Sequence, residues 1–319
     1  EKPYKSTMQG TLFHNWVESR FGFVSNSEDL DAPEPLDSSD DPVSFDDLQR
    51  LKATFENLAH GELHIIDGVE VFIFTGKEPG PTTGFIAGQH GNELAGPLWL
   101  LGLGSRFVDD CGKITKGKLI VIRCANPEGM MRGYRWVFPL DYAQTFTTLG
   151  QQGIVGAERD RKVRLRHDMN RRWKVRGGVE EKLWGLFEQC TQVIDLHVAD
   201  GGPMWQSTVC HGLIGENLAD RFLSQTGLDK SGWSKLSGPE ILPEGSLLSR
   251  CENAGIPSIG LELPMNCSAS NPIPELAQKF HPEGFSEYPW GGERRRDLSL
   301  PEQQLSMPHI WQWILNNHK

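Results

Sequence analysis

The sequence predicts an α/β layered domain built on a mostly parallel, buried sheet. Two observations predict it. Short β-rich runs alternate with helical stretches through most of the chain, and several of these runs are almost wholly apolar, as strands covered on both faces must be. The composition allows it: 319 residues with 38% hydrophobic and 23% charged side chains fall in the globular range, which excludes collagen, coiled coil and wholesale disorder.

Taken in order, residues 28–47 carry nine acids, three prolines and no Lys or Arg. Such a segment cannot pack a core by itself, so an acidic arm is expected there. A helix is expected to follow from Ser44, with Asp47 in a capping-box position ahead of the Leu48, Leu51, Phe55 and Leu58 spacing. Residues 1–61 thus form an N-terminal extension, and 62–319 the main domain. Within that domain, β-rich composition places strands at 62–66, 70–74, 84–87, 119–123, 192–196, 207–212 and 258–263. Helical periodicity falls at 93–107, 179–190, 216–225, 245–254 and 301–316.

The charge balance is 32 Lys and Arg against 42 Asp and Glu, a net charge of -10, which disfavours a general nucleic-acid or anionic-membrane surface. The most apolar stretch, 94–104, is too short to span a bilayer. Six cysteines at 111, 124, 190, 210, 251 and 267 form no C-x-x-C pair and read as reduced thiols. With no apolar signal core in EKPYKSTMQG, the expected location is cytoplasmic. Nine Lys or Arg within 159–176 form a basic stretch that could dock the acidic arm or draw an anionic substrate, or stand as a solvated face.

Three strand ends carry candidate chemistry. In GFIAGQHGNELAG, His90 follows a strand and Glu93 is expected in the first turn of the next helix, so both can reach one cation; a surface His beside a capping Glu is the alternative. The strand QVIDLH ends in His197, the natural third ligand of a catalytic zinc site. Asp195, two residues earlier on the same strand face, either orients His197 or is satisfied elsewhere. In IPSIGLELP a lone Glu262 interrupts an apolar strand and is the candidate general base, with an arginine salt bridge as the alternative. Between these strands, CANPEGMMRGYR and RLRHDMNRRW suggest anion binding: Asn170 and Arg171 as an amide beside a guanidinium fork for a carboxylate, and Arg135 to polarise a carbonyl. Trp205, Trp233 and Trp290 either line a pocket or belong to the core.

The order GQHGNE, N-P with an Arg nine residues after the Asn, D-x-N-R, DLH and GLE resembles the succinylglutamate desuccinylase/aspartoacylase family, relatives of the zinc carboxypeptidases. The resemblance implies a three-layer α/β/α sandwich with a mixed, mostly parallel central sheet. It implies one Zn2+ per chain on His90, Glu93 and His197, Arg135 at the carbonyl oxygen, Asn170 and Arg171 on a substrate carboxylate, and Glu262 as base. The implied activity is hydrolysis of an N-acyl amino acid; a carboxypeptidase acting on short peptides shares every element, and a Glu at 262 argues against a relative that binds without turnover. The implied partner is a small molecule bearing a carboxylate, with homo-oligomerisation left open. Two departures stand out. The segment 136–166 is longer than in aspartoacylase and is expected to be a lid or specificity loop. Few residues follow Glu262, leaving little space for the family's β-rich C-terminal domain.

Overall fold

The computed structural model describes residues 61–264 and 304–319, less 104, 133–134, 136, 138–147, 149–150, 154–157, 159–161, 163–165, 175, 199–206 and 239–240. The acidic arm, the helix expected from Ser44, Cys267, Trp205 and Trp290 lie outside the described residues.

Eight strands form one sheet in the order β1-β2-β4-β3-β5-β8-β6-β7. They are β1 Gly61–Ile66, β2 Val69–Thr75, β3 Glu78–Ala87, β4 Lys116–Ile122, β5 Gln192–Val198, β6 Thr208–His211, β7 Ser234–Ser237 and β8 Ser258–Leu263. β4, β3, β5 and β8 run parallel, β7 runs parallel to β6, and β1, β2 and β6 each meet a neighbour antiparallel. β1 and β2 join through Asp67 and Gly68, both at positive φ. An Asp-Gly pair in that conformation matches the right-handed twist of a two-residue hairpin.

Strand alternation sorts the sheet into two faces. Phe72, Phe74, Phe85, Leu119, Val121, Ile194, Leu196 and Leu261 pack with α1 Ala95–Gly102, α2 Ser105–Cys111, α5 Glu216–Thr226 and α7 Met307–Asn316. Val71, Ile73, Ile86, Ile120, Ile122 and Val193 pack on the other side with Trp173, α4 Val179–Phe187 and α6 Leu247–Ala254. A further short helix, α3, spans Pro127–Arg132, and a 3-10 turn spans Met169–Arg171. The outcome is the expected three-layer α/β/α sandwich with a mixed, mostly parallel sheet. On β5 the same alternation puts Asp195 and His197 on the α4/α6 face, opposite Ile194 and Leu196.

Some expected bounds shift. β3 begins at Glu78 rather than 84; Pro79 and Pro81 sit where its register against β4 slips between Glu78 and Thr82, before pairing with β5 starts at Thr83, and such an irregularity tolerates proline. The helix expected over 93–107 is two helices, and its start moves to Ala95 because the 90–93 segment closes a turn of its own, Glu93 N–H donating to His90 O. β5 runs on to Val198, so His197 is its penultimate residue. β7 was not expected, since SKLS is short and polar. The five described cysteines are buried free thiols, and burial pushes Cys190 up to about 12.

Candidate metal centre

β3, β5 and β8 are mutually parallel, so their C-terminal ends open on one edge of the sheet, where open α/β sheets place their sites. Gly88 ends β3 at φ 68°, and a Cβ there would lie 2.8 Å from Pro97 Cγ. Only glycine permits both the turn and the packing. That turn delivers Gln89 and His90, while Ala125 and Asn126 run on from β4 beside it, their N–H groups donating to Ala87 O and Gly88 O at 2.9 Å each.

One carboxylate organises the cluster. Glu93 Oε1 lies 2.6 Å from His90 Nδ1, and Oε2 lies 2.9 Å from His197 Nδ1 and accepts from Val198 N–H at 3.1 Å. All three residues are buried, and one ligand atom from each lies within 4.8 Å of the others. Behind the rings stand two more buried acids: His90 Nε2 is 2.9 Å from Asp168 Oδ1, and His197 Nε2 is 3.0 Å from Asp195 Oδ2. Burial opposes charge on Glu93, but both imidazoles outweigh it and hold the carboxyl well below the usual range. By the same balance, burial lowers His197 while Asp195 and Glu93 raise it more, leaving it well above 6.5; His90 is raised in the same way against burial and the Arg135 charge. Two Nδ1 atoms and a carboxylate, each His backed by an acid, fit the donor set and outer support of a divalent zinc site.

Arg135 sits at the rim of the cluster, donating from its NH1 group to Glu93 Oε1 at 3.2 Å and from Nε to Asp168 Oδ2 at 3.3 Å. Its neighbour Val137 donates to His167 O at 2.9 Å. The expected insertion is therefore closed at its base, although most of 136–166 lies outside the described residues. The 3-10 turn that follows is capped by Asp168, whose Oδ1 accepts from Asn170 N–H at 2.9 Å. Asn170 Oδ1 accepts from Leu247 N–H at 3.1 Å, so Nδ2 is the end 3.3 Å from His197 Nε2. Arg171 donates to Asn170 O at 2.6 Å. Thus both residues expected at a substrate carboxylate border the cluster, with Asn170 turned inward toward His197.

Glu262 pairs in register with His197 on one side and Thr208 on the other, which puts its side chain on the same sheet face as His197. It is half-buried. Among the described residues, sequence reasoning gave no role to Asp168 or Gln89. Asp168 lay within the D-M-N-R motif already singled out; Gln89 offered no signal beyond adjacency to His90. Trp233 proves to be core, packed edge-on to Phe222. In the basic stretch, Arg172 pairs with Glu180, Lys174 with Glu244 and Lys162 with Glu158.

A mixed sheet between two helical layers, with a His-Glu-His cluster at the ends of its parallel strands, defines the zinc carboxypeptidase-like class of fold. Among solved structures, the chain is similar to a metallo-carboxypeptidase from Burkholderia cenocepacia at 12% identity and TM-score 0.50, over 86% of this chain and 69% of that one. It is also similar to a succinylglutamate desuccinylase/aspartoacylase from Rhodobacter sphaeroides (18% identity, TM-score 0.41, 61% and 51% covered) and to an aspartoacylase family protein from Mesorhizobium loti (20%, 0.40, 61% and 55%). The chain spans about half the length of the Rhodobacter protein. No family model matches the chain, and no curated protein does. No helix among the described residues is long and apolar enough to cross a membrane.

Proposed function

We propose that the chain is a zinc-dependent amidohydrolase that cleaves an N-acyl amino acid to a carboxylic acid and a free amino acid, its catalytic domain spanning 62–319. The observation that carries this reading is the buried convergence of His90, Glu93 and His197, each His backed by a carboxylate, with Glu262 beside His197 on the same sheet face. His90, Glu93 and His197 would hold one zinc, which would supply Lewis acidity and a water whose pKa is lowered toward ~7. Glu262 takes a proton from the attacking water and returns it to the departing amine. Arg135, already at the rim, turns its guanidinium to the carbonyl oxygen as negative charge develops there. Arg171, with one face of the Asn170 amide, holds the carboxylate of the amino-acid product. The substrate is a small carboxylate-bearing molecule, and neither nucleic acid nor membrane is a partner.

A carboxypeptidase acting on short peptides is the second reading, favoured by the fold shared with the Burkholderia metallo-carboxypeptidase. The test begins with metal content per chain by elemental mass spectrometry, beside a His197→Ala control. Nearly one zinc in the parent and little in the control supports the site, and relative rates on acyl amino acids and dipeptides then separate the two activities. No transition metal after incubation with zinc would sink both.

A further inference from the structure

The amide of Gln89 is fully buried next to His90, yet neither metal binding nor the proposed proton transfers use it. Its orientation follows from chemistry. Trp173 Nε1–H can only donate, so the Gln89 atom 2.6 Å away is Oε1. The other end, Nε2, must then be the donor to Asp195 Oδ2 at 2.7 Å. That same oxygen is the one 3.0 Å from His197 Nε2. Gln89 Nε2 and Asn170 Nδ2 also flank His197 Nε2, at 3.5 and 3.3 Å, but both are donor ends and cannot take its proton. Among the described residues, Asp195 Oδ2 is therefore the acceptor for Nε2–H.

This matters because imidazole has two neutral tautomers. Flanking donors at Nε2 favour the one with a bare Nε2 and a proton on Nδ1, the atom that faces Glu93. Asp195 favours the opposite tautomer, but only while Oδ2 stays in place. Its other oxygen, Oδ1, is buried without a hydrogen-bond partner among the described residues, so the carboxylate would gain by rotating. The second hydrogen bond, from Gln89, holds it still.

We propose that Gln89, anchored by Trp173, is a positioning residue that keeps Asp195 Oδ2 against His197 Nε2 and so leaves the Nδ1 lone pair of His197 directed at the metal. The inference rests on the zinc-hydrolase reading. Zinc dissociation constants, measured by chelator competition, test it in the full chain, in Gln89→Met, in Trp173→Phe and in the double variant. Thermal midpoints of the metal-stripped proteins record any purely structural loss. Gln89→Met, close in volume but with neither hydrogen bond, is expected to weaken zinc binding about 10- to 100-fold. Trp173→Phe, which removes the indole donor together with part of a buried ring, is expected to weaken it on the order of threefold. Since both act through one amide, the double variant should bind no more weakly than Gln89→Met. Affinities within about twofold of the parent, or losses that multiply in the double variant, would overturn the inference. If Gln89→Met does not fold, Trp173→Phe decides alone, an unchanged affinity counting against. A parent that takes up no zinc overturns the hydrolase reading and this inference together, whereas a zinc-binding parent with unaltered variants overturns the inference alone.

Discussion

Glu262 stands beside His197 across a parallel strand pair, and on the proposed chemistry it moves a proton without ligating metal. Glu262→Gln is therefore expected to lower kcat/KM by about 10²- to 10⁴-fold while zinc content stays at the parent level; full activity on the best substrate would remove Glu262 as base. The ligands behave differently with pH. A ring whose Nδ1 carries a proton cannot bind metal through that atom. Acid neighbours raise both His90 and His197 above 6.5, so protons compete with zinc from above pH 6.5 downward. Apparent zinc affinity should fall as pH falls, by up to roughly two decades per unit where both rings are protonated; a flat profile between pH 8 and 6 would show that the rings are not ligands. At this scale the sequence was informative where chemistry follows local spacing, as with His90 and Glu93 at the end of an apolar strand. It was silent where partners are distant: Gln89 meets Asp195 across 106 positions and His90 meets Asp168 across 78, with no local pattern to mark either.

The turn carrying Asn170 and Arg171 is not self-supporting. Gly245, at φ 80°, lies against it so closely that a Cβ would overlap the Arg171 carbonyl, and Gly245 O accepts from Trp173 N–H at 3.0 Å. Gly245→Ala combines a left-handed backbone with that overlap and should cost about 1–3 kcal/mol. Relief of the clash displaces the Asn170–Arg171 turn, so KM for a carboxylate substrate should rise more than kcat falls. Gly84→Ala is the matched control: its Cβ would lie 2.7 Å from Phe187 Cδ1, in the core between β3 and α4 and away from the cluster. A similar loss in urea unfolding, about 1–3 kcal/mol, is expected there without a change in KM. Equal KM effects in both would mean that Gly245 acts through general stability. Long, apolar or strongly periodic elements were legible in the sequence; β8 matches over its full length. The polar edge strand β7 and the proline-bearing start of β3 were not, because pairing rather than side-chain pattern makes them strands.

Across the whole molecule, the alternation of strands and helices was enough to predict a layered α/β domain, but strand order depends on contacts that no local pattern encodes. One such contact closes the sheet from the C-terminal side. His318 is fully buried after α7, its backbone O accepting from Thr115 and Lys116 N–H at 2.8 and 3.1 Å. Its ring spans two strands: Nδ1–H donates to Lys116 O at 3.1 Å, and Nε2 lies 2.9 Å from Thr83 Oγ1. Gln192 Nε2 donates to Thr83 Oγ1 at 2.9 Å, and Arg221 donates to Gln192 Oε1 at 3.2 Å, so β4, β3, β5 and α5 share one polar chain. The Lys116 carbonyl fixes Nδ1 as a donor, which leaves Nε2 of a neutral ring free to accept the Thr83 hydroxyl proton. Burial, helped by the Lys116 charge and opposed by the hydrogen bond to Lys116 O, lowers its pKa below 6.5. The unfolded chain takes up this proton near pH 6.5, before the folded one does. The contribution is therefore fully present above pH 6.5 and is lost as pH falls toward the depressed folded value. His90 and His197, whose pKa values are raised, act with the opposite sign. The comparison that isolates His318 is thus the stability gap between parent and His318→Gln, both stripped of metal, at pH 8 and pH 5. That gap should narrow in acid, since only the parent loses a neutral clasp there, and a gap of equal size at both values would mean that the ring holds β3 and β4 by packing alone.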